Sequence, residues 1–312
     1  MIVFLLYPPV SKEHPPEHLL NELLPPETGN GDTGRVIANF GQSVKIATKQ
    51  GVVKWKPPHR ESWVVGDIIR FVDGRPKTSL PRQNELSRMS GRKGASQALA
   101  ANIDWLVIVT ACGESFKPGL IDRFIVASSH AGIKSMIVLN KIDLENAPEC
   151  KTQVGEYKAL GFPVYYLSAL TGEGIDVFTE ALKNSISSMA GHSGVGKTSI
   201  INLLAPGSER MVGEIHKETQ RGRHTTTNAL MIALPSGGAI IDSPGIRMFS
   251  PAGVGRSEVA AHFPGFRKWL TGCKFRDCLH VTEPDCSIRD AVNDGSIDPD
   301  RYSSYLRLLE SI

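Results

Sequence analysis

Residues 191–198 read Gly-His-Ser-Gly-Val-Gly-Lys-Thr, which fits the phosphate-cradling pattern G-x-x-x-x-G-K-[ST] at Gly191, Gly196, Lys197 and Thr198. Glycines permit backbone conformations that turn successive N–H groups toward phosphate oxygens. The cradle here comprises Gly191, His192, Ser193, Gly194, Val195 and Gly196, and it runs on to Ser199. Lys197 would reach the β- and γ-phosphates, and the Thr198 hydroxyl would bind Mg²⁺. The run "SIINLL" that follows supplies a helix whose N-terminus favours an anion. The segment before the loop, "NSISSMAG", is unusually polar for a buried strand, so its burial is in question.

A second chemical segment precedes the first. In "SMIVLNKIDL", Asn140, Lys141, Ile142 and Asp143 follow an apolar run that reads as a strand. Guanine offers N1–H and its exocyclic amine side by side, and a carboxylate accepts two parallel hydrogen bonds. Asp143 is therefore the natural base reader. Asn140 would tie this loop to the phosphate loop, and the Lys141 stem would cover the base. Ser168, Ala169 and Leu170, after another strand, would add backbone contacts. Downstream, "AIIDSPG" places Asp242 at a strand end, to hold the Mg²⁺ shell, and Gly245 where its N–H would sense the γ-phosphate. Asp-Ser-Pro-Gly also suits a plain turn. Between these lies "RGRHTTT", a switch segment in which either Thr225 or Thr226 would close on Mg²⁺.

The residue after Gly245 is Ile246, which cannot orient water through its side chain. His224 is the candidate catalytic residue, orienting or deprotonating the attacking water. Its alternative is a loop histidine packed against RNA or Arg223. The order of segments is base, base, phosphate, switch, switch, whereas in the usual arrangement the phosphate loop comes first and the base-reading segments follow. A relocated chain break preserves a sheet when the original termini lie close together. The order thus predicts a circularly permuted GTP-binding domain whose switches run into whatever follows residue 250.

The third set is Cys273, Cys278, His280 and Cys286, spaced C-x4-C-x-H-x5-C. Three thiolates and one imidazole make a closed tetrahedral set of the structural Zn²⁺ type, with free thiols as the alternative. Cys112 and Cys150 read as unligated.

A chain of 312 residues has room for two or three domains. With 41% hydrophobic and 21% charged residues it reads as globular, with no apolar run long enough to span a bilayer and no signal peptide at "MIVFLLYPPV". Residues 1–33 are rich in Pro and Glu, carry −4, and suggest an extended or loosely ordered arm. Residues 34–95 carry thirteen Lys/Arg against four Asp/Glu, or +9, and their short β-type runs suggest a small antiparallel barrel of the OB type. Lys45, Lys49, Lys54, Lys56, Arg60 and Arg70, with Trp55 and Trp63, would either track a phosphate backbone or form a solvated face. The stretch 87–97 reads as a basic linker. Residues 96–250 alternate strands and helices, predicting an α/β domain with a parallel sheet. Residues 251–312 hold the Cys/His set and a final amphipathic helix.

With these motifs in hand, the chain resembles the RsgA (YjeQ) family of circularly permuted GTPases, which act in assembly of the bacterial small ribosomal subunit. The resemblance is carried from about Gly34 to the end by "AANIDWLVIVTA", "IDRFIVA", "NKIDL", "SGVGKTSIIN", "GRHTTT", "DSPGIR" and the Cys/His set; residues 1–33 lie outside it. It implies a multidomain protein with an OB barrel, a permuted P-loop GTPase and a mostly helical zinc domain. It also implies contacts with the small subunit and its rRNA, GTP and GDP as ligands, one structural Zn²⁺, and Mg²⁺ with GTP. A cytoplasmic monomer with no membrane association is the expectation that follows.

Overall fold

The computed structural model describes residues 17–25, 32–90, 95–113, 116–208, 229–242 and 253–312. His224, Thr225, Thr226, Gly245 and Ile246 lie outside them.

The segment 1–33 is not wholly an arm. Within it, α1 (Glu17–Leu23) is a short helix whose Leu23 is 1% exposed and packs, with Leu20 and Leu24, into the main core. Glu22 Oε2 also accepts a hydrogen bond from the Gly238 N–H at 2.8 Å. Leucines at positions 20, 23 and 24 give a helical stripe, and burying it against the sheet outweighs the polar composition around it.

Five antiparallel strands follow: β1 (Thr33–Asn39), β2 (Val44–Thr48), β3 (Gly51–Trp55), β4 (Ile68–Val72) and β5 (Arg75–Ser79). They are ordered β3-β2-β1-β4-β5 around Val36, Val44, Ile46, Trp63 and Ile69. The expected linker at 87–97 is instead part of a hairpin of β6 (Glu85–Ser90) and β7 (Ala95–Ala101). Leu86, Ala100 and Ala101, just outside the basic stretch, are fully buried, and they commit the flanking chain to pairing. The hairpin returns to the small β unit where the Ala101 N–H donates to the Val65 carbonyl at 2.9 Å. Gly66, with φ of +97°, permits this approach, since a Cβ there would stand 1.9 Å from the Ala101 oxygen.

One ion pair locks this junction. The fully buried Asp67 accepts from the Val64 N–H and is bridged by Arg82 Nε and Nη2 at 2.7 and 2.8 Å. Arg82 also donates to the Ser62 carbonyl and to Glu85. Hydrogen bonding to Asp67 holds the guanidinium above its ordinary range against the effect of burial.

The central domain then unrolls as β8 (Trp105–Ala111), α2 (Pro118–His130), β9 (Lys134–Asn140), α3 (Ala147–Ala159), β10 (Val164–Tyr166), α4 (Ile175–Ala181), β11 (Ile186–Ala190), α5 (Lys197–Leu204), β12 (Ala229–Ala233) and β13 (Ala239–Asp242). Its strands lie in the order β10-β9-β8-β11-β13-β12, parallel except for β12. The doubtful polar strand proves central. Ser187 and Ser188 of β11 are fully buried between β8 and β13, and Ser188 Oγ donates to the Ile241 carbonyl at 3.4 Å. Residues 182–185 alone join α4 to β11, and this short link is what the permuted order requires. At the other sheet edge β12 pairs with β1, Leu230 opposite Ala38 and Ala229 opposite Asn39. The sheet therefore runs on into the N-terminal β unit, a join the sequence did not suggest.

The C-terminal unit consists of α6 (Val259–His262), a 3₁₀ segment (Arg267–Gly272), α7 (Ser287–Asn293) and α8 (Pro299–Glu310). Asp298 caps α8, accepting from the Asp300 N–H at 2.6 Å, and Pro299 suits the first helical turn. Phe263, Phe266 and Tyr305 pack together at its centre in tilted and edge-to-face contacts, and Val126 of α2 joins the same core. Asp122 of α2, 2% exposed, accepts from Ser304 (2.6 Å), Tyr157 (2.7 Å) and Arg301 (3.5 Å), so α2, α3 and α8 meet at one carboxylate. Among the described residues, no helix is long and apolar enough to cross a membrane.

Arg82→Met would leave the Asp67 carboxylate buried without its partner and should cost about 3–5 kcal/mol. Glu85→Gln removes only the exposed arm of the network and should cost less than about 1 kcal/mol. Urea titrations of the two variants, followed by far-UV circular dichroism, check the contrast; equal midpoints would show that the bridge to Asp67 is not what closes the unit.

Candidate functional site

Because β8, β9, β10, β11 and β13 are parallel, their carboxyl ends share one edge of the sheet, where α/β folds bind ligands. Asn140 ends β9, Ser168 lies two residues beyond β10, Gly191 follows β11, and Asp242 ends β13. Segments that lie far apart in an unusual chain order are thus brought to one place.

Asn140 joins them. Its side chain is 1% exposed; Nδ2 donates to the Val195 carbonyl in the phosphate loop at 2.8 Å, and Oδ1 accepts from the Ala169 N–H at 2.9 Å. Both ends of one buried amide are thereby satisfied by two different loops. Gly196 is needed for this contact on two counts. Its φ is +94°, and a Cβ there would lie 2.2 Å from Asn140 Nδ2. Gly191, at the other end of the loop, would press a Cβ to within 2.3 Å of the Val109 carbonyl. Lys197 is buried, and its ammonium donates to the Gly191 and His192 carbonyls, both at 2.7 Å, so it lies along the inside of the loop. Val195 is buried, whereas His192, Ser193, Gly194, Thr198 and Ser199 face solvent. Lys197 and Thr198 open α5, whose N-terminus points at the loop.

The base-reading loops are wired to each other as well. Lys141 takes a left-handed φ of +61°, which turns the chain out of β9. Ile142 is anchored, 8% exposed, with its N–H on the Leu167 carbonyl at 3.3 Å. The buried Ser168 hydroxyl donates to Asp143 Oδ1 and accepts from the Thr171 N–H at 3.2 Å. Asp143 itself is exposed, and Leu170 is 85% exposed. A carboxylate steadied on one oxygen and open to solvent, with an aliphatic side chain nearby in the adjoining loop, suits a planar base with paired donors. Of the candidate site residues read from sequence, His224, Thr225, Thr226 and Gly245 lie outside the described residues, as does Ile246.

The Cys/His set also assembles. The donor atoms of Cys273, Cys278, His280 and Cys286 lie within 4.8 Å of one another. His280 Nδ1 is 3.5 Å from Cys273 Sγ and 3.4 Å from Cys286 Sγ. A tetrahedron built on metal–sulfur bonds of about 2.3 Å and metal–nitrogen bonds of about 2.0–2.1 Å has S···N edges of roughly 3.5 Å. These two edges match tetrahedral coordination, and the four donors could hold a single metal ion.

The residues that hold these ligands escaped the sequence reading. Tyr302 and Tyr305 of α8 donate to the His280 and Leu279 carbonyls at 2.6 and 2.8 Å. Glu283 accepts from the Leu279, Val281 and Thr282 N–H groups. Partial burial opposes its ionisation, but these backbone donors hold its carboxyl down at about 2. The two tyrosines stand three apart on the final amphipathic helix, a spacing that was visible, though not what it touches.

Comparison with known proteins agrees with this geometry. The family described as RsgA GTPase matches residues 79–252, more than half of the chain. A relative from Shewanella oneidensis, named small ribosomal subunit biogenesis GTPase RsgA, is 38% identical over 307 residues, covering 93% of this chain and 86% of its own. One from Pseudomonas aeruginosa with the same name is 39% identical over 303 residues, covering 94% and 89%. Such coverage exceeds what residues 34–312 can supply, so these relatives also match part of the segment 1–33, contrary to the narrower resemblance. The crystal structure of YjeQ from Thermotoga maritima superposes with a TM-score of 0.72 at 26% identity, covering 90% of this chain and 98% of that one. YloQ, described as a circularly permuted GTPase, shares the fold with a TM-score of 0.69 at 23% identity, covering 91% and 96%. With its phosphate loop following its base-reading loop in sequence yet bonded to it through Asn140, the chain belongs to the RsgA family of circularly permuted GTPases.

Proposed function

We propose that this protein hydrolyses GTP to GDP and phosphate in the late maturation of the small ribosomal subunit, associating with the subunit in a nucleotide-dependent way and turning over faster when bound. The observation that carries the reading is the Asn140 bridge, which holds the glycine-rich loop 191–196 and the loops after β9 and β10 at one sheet edge, where a phosphate cradle and a guanine reader would have to meet. The names of the relatives supply the subunit.

In this reading residues 34–95 form an OB-type barrel that meets rRNA, residues 96–250 the GTPase, and residues 251–312 the zinc-binding unit. The strand order β3-β2-β1-β4-β5 supports the barrel. Its charge supports the RNA: Lys45 and Lys54 stand directly opposite each other on β2 and β3, both 5.7 Å from the Phe40 ring. Opposed like charges destabilise a ladder unless something anionic meets them. Zn²⁺ is the ion suited to Cys273, Cys278, His280 and Cys286, where it would be structural. Mg²⁺ would accompany GTP, held by Thr198, by Thr225 or Thr226, and through its shell by Asp242. His224 would orient or deprotonate the attacking water. The protein would act as a cytoplasmic monomer.

Asp143→Asn should weaken GTP binding about tenfold or more and favour xanthosine triphosphate, because an amide can donate to the oxygen that xanthine carries in place of the guanine amine. Competition titration with both nucleotides checks this, and unchanged guanine preference would remove Asp143 from the base site. One zinc per chain should be found by elemental analysis. Chelation or Cys278→Ser should then unfold the C-terminal unit, since structural zinc binding is coupled to folding.

Single-turnover and steady-state hydrolysis with and without small subunits test the function itself. His224→Ala should keep GTP binding and subunit association while losing most of the stimulated turnover. Stimulated turnover that survives the substitution would transfer the water-positioning role to the ribosomal partner.

A further inference from the structure

Between the first two ligands of the metal cluster lies Lys274-Phe275-Arg276-Asp277. Both ends of this stretch are fixed. Cys273 Sγ is 3.3 Å from Ser287 Oγ, and Cys278 is buried. The Lys274 N–H donates to the Asp285 carbonyl at 3.2 Å, and its ammonium pairs with the Asp285 carboxylate at 2.9 Å. Only four residues span the gap, so the tip has little freedom to fold its side chains inward.

Phe275 is 42% exposed at that tip, while Phe263 and Phe266 of the same unit are 2% and 0% exposed. A single exposed aromatic residue would be unremarkable on its own. Its surroundings are not. The Lys274 ammonium is 5.9 Å from the Phe275 ring centre, and Arg276 is exposed next to it. Arg267 and Lys268 are exposed on the adjoining 3₁₀ segment, which is wired to the cluster because the Ser287 hydroxyl reaches the Trp269 carbonyl as well as Cys273.

We infer that Phe275 is a stacking platform for one unpaired RNA base, with Arg276, Arg267 and Lys268 holding the flanking phosphates. An aromatic face flanked by cations matches the alternation of base and phosphate along a single strand. An apolar socket on a protein would not call for three exposed cations around it, and a membrane would require a broader apolar face. The inference rests on the small-subunit reading above and goes beyond it by assigning a residue in the metal-binding unit and the form of RNA it takes.

The test uses the full-length, zinc-loaded protein in two assays: co-sedimentation with small subunits under a non-hydrolysable GTP analogue, and fluorescence anisotropy with a short unpaired RNA oligonucleotide. Phe275→Ala should weaken both interactions at least about fivefold. Phe275→Leu keeps apolar bulk without a π-face and should be as weak as Phe275→Ala, whereas Phe275→Trp should bind within about twofold of the native chain. Zinc content and GTP affinity should be equal in all three, showing that the unit still folds. Replacing Lys268 and Arg276 together with Gln should lower the slope of log affinity against log salt by about 1–2.

Native affinity in Phe275→Ala, an unchanged salt slope, or rescue by Leu as complete as by Trp would overturn the inference, and the last outcome would point to an apolar socket on a ribosomal protein. If the native chain itself fails to sediment with the subunit, the proposed function falls too. If it sediments and Phe275 makes no difference, the stacking platform alone is lost.

Discussion

Everything at the carboxyl edge of the sheet depends on the buried amide of Asn140. Among the described residues its side chain is bonded to both the phosphate loop and the loop after β10, and both bonds are near ideal length. A net hydrogen bond contributes only about 1 kcal/mol, but leaving a buried donor or acceptor unsatisfied costs about 1–3 kcal/mol. Shifting either loop therefore exposes the other to that penalty, and the two loops hold one geometry. The absence of a Cβ at Gly196 belongs to the same constraint, because any side chain there would occupy the position of the amide nitrogen. Chain order does not enter into it. The contact needs β9, β10 and β11 to end at the same edge, and a parallel sheet meets that condition wherever the chain begins.

That independence explains why so much of the site was legible. Glycines, Lys197, Asn140 and Asp143 belong to short motifs whose residue types and spacing tolerate few alternatives, so their convergence at one sheet edge could be expected from the sequence. The four metal ligands are legible for the same reason. Elements whose identity depends on what covers them were not. The serines of β11 look polar in sequence, yet small side chains fit a central parallel strand, and Ser188 finds a carbonyl across the ladder. Arg88, Arg92 and Lys93 made 87–97 look like a linker, although pairing is decided by the buried Leu86 and Ala100 on either side. Leu23 disappears into a core most of whose residues, from Phe124 to Ile241, lie a hundred or more positions away. Periodicity within a short window carries no trace of such partners.

The permutation acquires a physical meaning from what adjoins the strands on the γ-phosphate side. The sequence suggested that both switch segments lead toward the C-terminal unit. Residues 209–228 lead instead into β12, and β12 is bonded to β1 of the basic N-terminal unit. The turn from β12 to β13 is held in addition by Glu22 of α1. On the other side, the chain leaving β13 reaches a unit already fastened to the central domain. There Asp122 receives Ser304, Tyr157 and Arg301, and Arg301 also pairs with Glu156 at 3.1 Å. Burial raises the Asp122 carboxyl above its ordinary range, and the Ser304, Tyr157 and Arg301 donors oppose that shift. Removing one of those donors would thus weaken the seat of α8 on α2 and α3.

Each flanking unit is consequently attached to the nucleotide-binding sheet by chemistry of a different kind. The N-terminal unit shares backbone hydrogen bonds with β12, which cannot shift along its axis without breaking the register of β1. The C-terminal unit is attached to α2 and α3 through side chains, and those helices flank β8 and β9. A displacement at the end of β12 or β13 would be felt by the β unit directly, through the ladder. The C-terminal unit would meet the same displacement only at its chain entry, since its bulk is anchored to α2 and α3. The permuted order is what allows this division. It frees both ends of the central domain to continue into other units, while the Asn140 contact keeps the site itself unchanged.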